Sequence, residues 1–200
     1  MPTDILSKTM TRDTAYTLLT KYLKNKNLVK HCLACEAAMK GLYTHLHPEG
    51  NDEEKLLWGI TGLLHDVDYE IAQETDQLHL HGSLIFEKEL DVIPEMIEHA
   101  IRAHNFEATG TNPESDLDWS ITIVDGLTGF IVACALIHPD KKLAPITVEF
   151  IQKRFGQAAF AKNVRREVIL MCDEKLGIAL PQFIKITLTA MQEIHEELGL

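Results

Sequence analysis

The sequence predicts an all-α fold: a compact multi-helix bundle forming one domain over residues 1–200. Its core is expected at about 10–140, with C-terminal helices at about 141–200 packed on it. Three observations lead there. Apolar residues recur at three- and four-residue steps along almost every segment, the period of a helix with one buried face. No window alternates apolar and polar residues as a half-buried strand must. The breaks between periodic segments carry the Ser, Thr, Asp, Asn, Pro and Gly residues that start and stop helices.

The elements follow in order. Thr11–Leu23 opens on a Thr/Asp cap and carries Ala15, Leu18, Leu19 and Tyr22 on one side. Leu28–Leu46 has an apolar face of Leu28, Cys32 or Cys35, Ala38, Met39, Leu42 and Leu46, and residues 47–51 are turn chemistry. Asp52, Glu53 and Glu54 open a third helix, because acidic side chains favour the positive end of the helix dipole. Its face is Leu56, Leu57, Ile60, Leu63 and Leu64. Shorter helices are expected at Gly82–Leu90 and Pro94–Ala103, the proline suiting a first turn. The polar run Glu107–Asp118 reads as a loop. Ile121–Ile137 reads as a buried helix halted by His138-Pro139-Asp140. At 17 residues, and broken by Asp125, Gly126 and Gly129, it makes a poor membrane span. Helical segments near 145–155, 163–175 and 181–197 complete the chain.

Composition excludes several functions. With 46% hydrophobic and 24% charged residues, the chain is ordinary for a globular protein able to bury a core without disulfides or structural zinc. A net charge of −11 argues against a nucleic-acid polymer as partner. The charge is uneven: residues 1–139 carry 10 Lys/Arg against 22 Asp/Glu, while residues 140–175 carry 8 against 5. The latter stretch is therefore the candidate region for drawing in an anion, although surface helices would show the same charges. Cys32, Cys35, Cys134 and Cys172 lie within apolar helical patterns and read as reduced, buried thiols. Cys32-Leu33-Ala34-Cys35 has the spacing of a redox or zinc pair, but no second pair accompanies it and it falls inside a helix. The N-terminal MPTDILSKTMTRD lacks the basic-then-apolar shape of a signal peptide. The expectation is a cytoplasmic protein with no membrane partner.

Chemistry concentrates at four places. His65-Asp66 ends the apolar helix Leu56–Leu64, where both would be costly to desolvate without a partner. A divalent ion is such a partner, and neighbouring residues reach one ion most easily where a helix is ending. His31 lies three residues after Leu28 and four before Cys35, on the inward face of its helix. Asp125 is the single charge in the apolar run 121–137, and a buried carboxylate requires pairing or a cation. His104 follows Ile97 and Ile101 at helical steps, and His81 precedes Ile85 by four residues. Any one of these histidines alone would read as a hydrogen-bonded core residue.

The order His31, His65-Asp66, Asp125 resembles the HD superfamily of metal-dependent phosphohydrolases, and the local contexts agree. HCLACEAAM resembles the family's first helix, GLLHDVDYE its HD box, and IVDGLTGFIVACAL the segment of its last metal-binding Asp. HGSLIFEKEL and IEHAIRAHN resemble the histidine segments of members with two metals. The likeness covers residues 10–140, and the remaining helices resemble those of small stand-alone predicted hydrolases. It departs at Val67-Asp68-Tyr69, where the family often has a Lys, and at Ala103-His104-Asn105, where two adjacent histidines are common.

The resemblance implies a phosphohydrolase acting on a phosphomonoester or phosphodiester of a nucleotide or other small phosphorylated molecule. The implied metal residues are His31, His65, Asp66, His81, His104 and Asp125. They would hold one or two divalent ions per chain (Mn, Fe, Co, Ni, Zn or Mg), and His65, Asp66 and Asp125 would act in catalysis. Asp66 would bridge two ions; with a single ion, His81 and His104 would stand outside its ligand set. His79 is the alternative to His81, but His81-Gly82 fits the family pattern better. Asp68 and Glu70 are either solvated carboxylates or groups behind the ligands, Asp68 being the better candidate of the two, and Arg102 is either a phosphate contact or a surface arginine. His45, His47, His99, His138 and His195 are assigned to helix ends, turns or other faces. Two further readings remain open: a di-iron oxygenase on the same scaffold, and a non-catalytic, metal-stabilised nucleotide-binding or regulatory module.

Overall fold

The computed structural model describes residues 10–89 and 92–200, and among them every regular element is helical. Helix α1 (Arg12–Tyr22) is capped by Thr11, whose side chain accepts the Thr14 N–H, and α2 (Lys26–Leu46) by Asn25. Helix α3 (Asp52–Leu64) starts on Asn51 with three acidic residues in its first turn. Then come α4 (Tyr69–Glu74), a 3-10 turn (Leu78–Leu80), α5 (Phe86–Glu89), α6 (Glu95–His104) and α7 (Phe106–Thr109). The long α8 (Asp116–Ile137) crosses the middle of the molecule. It is followed by α9 (Val148–Phe155), α10 (Arg166–Ile169), α11 (Cys172–Leu176), α12 (Leu180–Glu193) and α13 (His195–Leu198).

The core forms where α2, α3, α6 and α8 pack together, with α12 laid along α2 and α8. Leu42, Leu63, Ile101, Phe130 and Phe183 are fully buried there. Helix α8 is long and apolar enough to cross a bilayer on composition alone, yet 61% of its apolar window is buried inside the bundle. Gly62 sets the spacing of α2 against α3. A Cβ at this position would meet the backbone C and O of Cys35 at 2.6 Å, so only glycine admits so close an approach. All four cysteines are free and buried.

Several boundaries differ from the sequence expectation, each for a local reason. Helix α8 begins at Asp116 instead of Ile121, because Ser115 and Asp118 form a capping box within the stretch read as loop. Phe106–Thr109 adds a helical turn to the same stretch. No helix starts at Gly82, whose φ of +92° is incompatible with one; the chain turns there and becomes helical at Phe86. The expected end at Leu90 lies outside the described residues, as does most of the N-terminal stretch read for a leader. Near 145–155 the helix waits for the Thr147 cap. The expected 163–175 helix is two short ones: Met171 N–H bonds to Val168 O, a tighter 3-10 step that separates them. Ile194, at φ −110° and ψ 21°, likewise divides 181–197 into α12 and α13. Helix α4 and the 3-10 turn were not expected from periodicity.

Candidate metal centre

Four elements deliver imidazoles to one place. His31 comes from the second turn of α2, His65 from the end of α3, His81 from the turn after Leu78–Leu80, and His104 from the end of α6. Each Nδ1 has a partner that fixes its protonation. The His65 Nδ1–H donates to Gly62 O at 2.9 Å, and the His104 Nδ1–H donates to Ile101 O. The His81 Nδ1–H donates to Asp68 Oδ1 at 2.7 Å. Thr128 gives its hydroxyl proton to Asp125 O, so its oxygen accepts the His31 Nδ1–H at 3.4 Å.

With the protons on Nδ1, the four neutral rings point Nε2 lone pairs at one another. His31 and His65 face each other at 3.3 Å, as do His81 and His104. Neither pair can form a hydrogen bond in that state, and both require a cation or an added proton between the nitrogens. The carboxylates are arranged to match. Asp66 turns Oδ2 toward His31 and His65, 3.5 Å from each Nε2, and Oδ1 toward His81 Nε2 at 3.0 Å. Asp125 Oδ1 lies 3.0 Å from His31 Nε2 and 3.8 Å from His65 Nε2. Imidazole with carboxylate suits a divalent first-row metal. The described residues therefore include groups able to hold a metal ion, one around His31, Cys35 and His65 and another around Asp66, His81 and His104.

The electrostatics of the cluster follow from the same contacts. Burial opposes charge on His65 most strongly, but Asp66, Cys35 and the contact with Asp125 together outweigh it and lift the ring to about 9. Burial likewise opposes charge on His81, and its hydrogen bonds to Asp66 and Asp68 lift it to about 10. His104 moves the other way, to about 4, because burial and the neighbouring His81 and His65 all disfavour its cation. Burial penalises the Asp66 anion, yet His65, His81 and His31 hold its carboxyl well below the usual range. Protons thus take the place that a cation would take.

All six expected metal residues converge here, and His65-Asp66 reach the site together because the helix ends at Leu64. Asp125 departs from its expected burial: its side chain is 41% exposed, facing a cleft of about 350 Å³ above the cluster. Asp68 stands behind His81 and also accepts the N–H groups of Gly82 and Leu84. Gly82 admits the close pass of this turn over α6, since a Cβ would meet Ile101 O at 3.0 Å. Glu70 lies apart, accepting the Lys24 and Asn25 N–H groups ahead of α2. Arg102 pairs with Glu98 at 2.8 Å and is absent from the cleft lining, as the surface reading expects. His45, His79 and His195 are exposed, and His99 and His138 pair with Asp118 and Asp140. Sequence reasoning missed Cys35, whose Sγ lies 3.9 Å from His31 Nε2; its i, i+4 spacing from His31 was the available signal.

Protein-family models, curated proteins and solved structures were each compared with the chain, and none matches.

Proposed function

We propose that the chain is a metal-dependent phosphohydrolase of the HD type, cleaving a phosphomonoester or phosphodiester of a nucleotide or another small phosphorylated molecule. One observation carries this reading: the Asp66 carboxylate divides its two oxygens between two histidine pairs beneath an open cleft. His31, His65, Asp66 and Asp125 would hold one divalent ion, and Asp66, His81 and His104 a second. A divalent ion there acidifies a water that it binds and offsets negative charge on phosphoryl oxygens.

The chain's own groups do the remaining work. Asp125 keeps part of its carboxylate open to the cleft, where it accepts a hydrogen bond from water and turns that water's lone pair toward the substrate. The four Nδ1 anchors hold the imidazoles in one orientation, so little reorganisation accompanies the reaction. Tyr69, Ile123 and Val168 give the cleft apolar walls against which the organic part of a substrate can lie.

The test is elemental analysis of the purified protein, joined to a panel of phosphate esters and nucleotides assayed with Mn, Co, Ni, Mg and Fe(II). Metal-dependent release of phosphate or of a monoester supports the reading. Oxygen consumption by an iron-loaded protein would replace it with an oxygenase. Tight nucleotide binding without turnover on any ester would replace it with a binding module.

A further inference from the structure

The basic stretch 140–175 contributes Asn163, Val164, Arg165, Val168 and Ile169 to the cleft wall, and of these Arg165 alone is charged. Among the described residues, Arg165 is the only Lys or Arg that lines it. Its guanidinium reaches α7, where Nη1 bonds Glu107 Oε2 at 3.1 Å and the group lies 5.8 Å over the Phe106 ring. Both partners are open to water, Arg165 at 40% and Glu107 at 64% exposure. A pair so exposed contributes little to stability, and its members exchange readily for better ones.

The backbone beneath Arg165 is, by contrast, firmly held. The neighbouring Arg166 turns inward and donates to the carbonyls of Phe155, Gln157, Phe160 and Ala161. Its guanidinium also lies 5.2 Å over the Phe130 ring. The loop is fixed by Arg166, while the side chain it presents to the cleft remains free to change partner. Next to it on the same wall are Asn163, a neutral donor, and Val164, which packs toward Gly126 one residue beyond Asp125.

We propose that Arg165 grips the phosphoryl group of the substrate, and that Glu107 is the partner it leaves when substrate enters. This rests on the phosphohydrolase reading of the same cleft. A guanidinium fork matches two non-bridging phosphoryl oxygens, and a phosphate dianion outcompetes a single solvated carboxylate for it. The exchange favours a dianionic monoester over a monoanionic diester. Arg165 is therefore a specificity determinant as well as a binding residue.

The experiment uses the full chain loaded with Mn. It measures affinity for inorganic phosphate by calorimetry, and KM and kcat for the best monoester and diester. Arg165→Ala is expected to weaken phosphate and raise the monoester KM by about 10- to 100-fold, the range for losing a charge-assisted hydrogen bond. The diester KM should change less, and metal content should not change. Arg165→Lys should fall between Arg165→Ala and wild type. Glu107→Ala removes the competitor and is expected to tighten phosphate about two- to fivefold. A merely structural ion pair would make Arg165→Ala and Glu107→Ala shift in the same direction, and that result overturns the proposal. Unchanged phosphate affinity in Arg165→Ala overturns it too. If wild type hydrolyses no ester, the hydrolase reading falls, while the phosphate affinities still decide whether Arg165 holds the anion.

Discussion

Asp68 accepts the Nδ1 proton of His81 at 2.7 Å and, with the same carboxylate, the backbone N–H groups of Gly82 and Leu84. Its oxygens meet only the outer nitrogen of His81 and the backbone behind it, yet they fix both the tautomer and the position of a ring that faces Asp66 and His104. Asp68→Ala should lower affinity for an ion at His81 roughly 10- to 100-fold. It should also cost about 1–3 kcal/mol for each donor left buried and unpaired. Metal titration of the variant beside its thermal melt checks both. Unchanged metal affinity would reduce Asp68 to a loop staple.

The histidines should separate sharply. Asp66→Ala should abolish metal binding, and His65→Ala should remove the ion shared with His31 and Asp125, because a packed interior offers no replacement ligand. His45→Ala and His195→Ala should leave it intact, since both side chains are exposed and away from the cleft. Metal content of the four purified variants decides it, and a loss in His45→Ala equal to that in His65→Ala would refute the site.

Much of this was legible beforehand, for reasons that differ by residue. Helical periodicity placed His31 and His104 inward, and the end of an apolar run placed His65-Asp66 at a helix terminus. Asp125 stood out as one charge in an apolar stretch, but periodicity could not show that α8 turns that position toward a cleft. The pairing of Nε2 atoms across helices depends on packing distances, which no local pattern encodes. Arg165 was hidden for a related reason. Residues 163–175 have the spacing of one helix, whereas the Arg166 contacts to 155–161 are made by the fold and leave 163–165 as a cleft wall.

Gly62 and Gly59 lie one turn apart on α3 and should respond differently to substitution. A Cβ at Gly62 would meet the Cys35 backbone at 2.6 Å, so α2 and α3 must separate. At Gly59 the obstacle is the flexible Lys40 side chain, which can swing away. Gly62→Ala should cost about 1–3 kcal/mol by overpacking and weaken metal binding by drawing His65 away from His31. Gly59→Ala should leave metal binding unchanged. Melting and metal titration of the two variants test this, and equal effects would refute it.

Metal loading should expel protons. In the ion-free protein His65 and His81 are raised to about 9 and about 10, so both are charged at neutral pH. Their stabilising contribution is complete below the ordinary histidine value near 6.5 and is lost as pH rises through 9 to 10. A metal needs the same nitrogens without protons, and that of His31, which is also raised well above its ordinary value, so loading at pH 7 should release about two to three protons. Calorimetric titration in buffers of different ionisation heat counts the protons. Wherever the metal binds, chelated protein should melt lower than loaded protein, by about 2.7 kcal/mol of stability when metal stands at 100 times its Kd. It should also lose stability between pH 7 and 10, where loaded protein does not. Loading without proton release would contradict the charge assignment.

One ion or two turns on His81 and His104. These rings face each other at 3.3 Å, and His81 faces the Asp66 oxygen turned away from His31 and His65. If they hold a second ion, either alanine variant should keep roughly one metal per chain, because His31, His65, Asp66 and Asp125 are untouched. Turnover should fall steeply even so, since the acidification of water and the charge neutralisation that a second ion would supply are lost. If only one ion binds, His81 and His104 touch water or substrate, and metal content stays at one in wild type and variants alike. The measurement is metal per chain at saturating Mn or Fe for wild type, His81→Ala and His104→Ala. The expected counts are two, one and one. A wild-type count of one would refute the dinuclear centre and leave Asp66 a ligand of a single ion, with His81 hydrogen-bonded to its second oxygen.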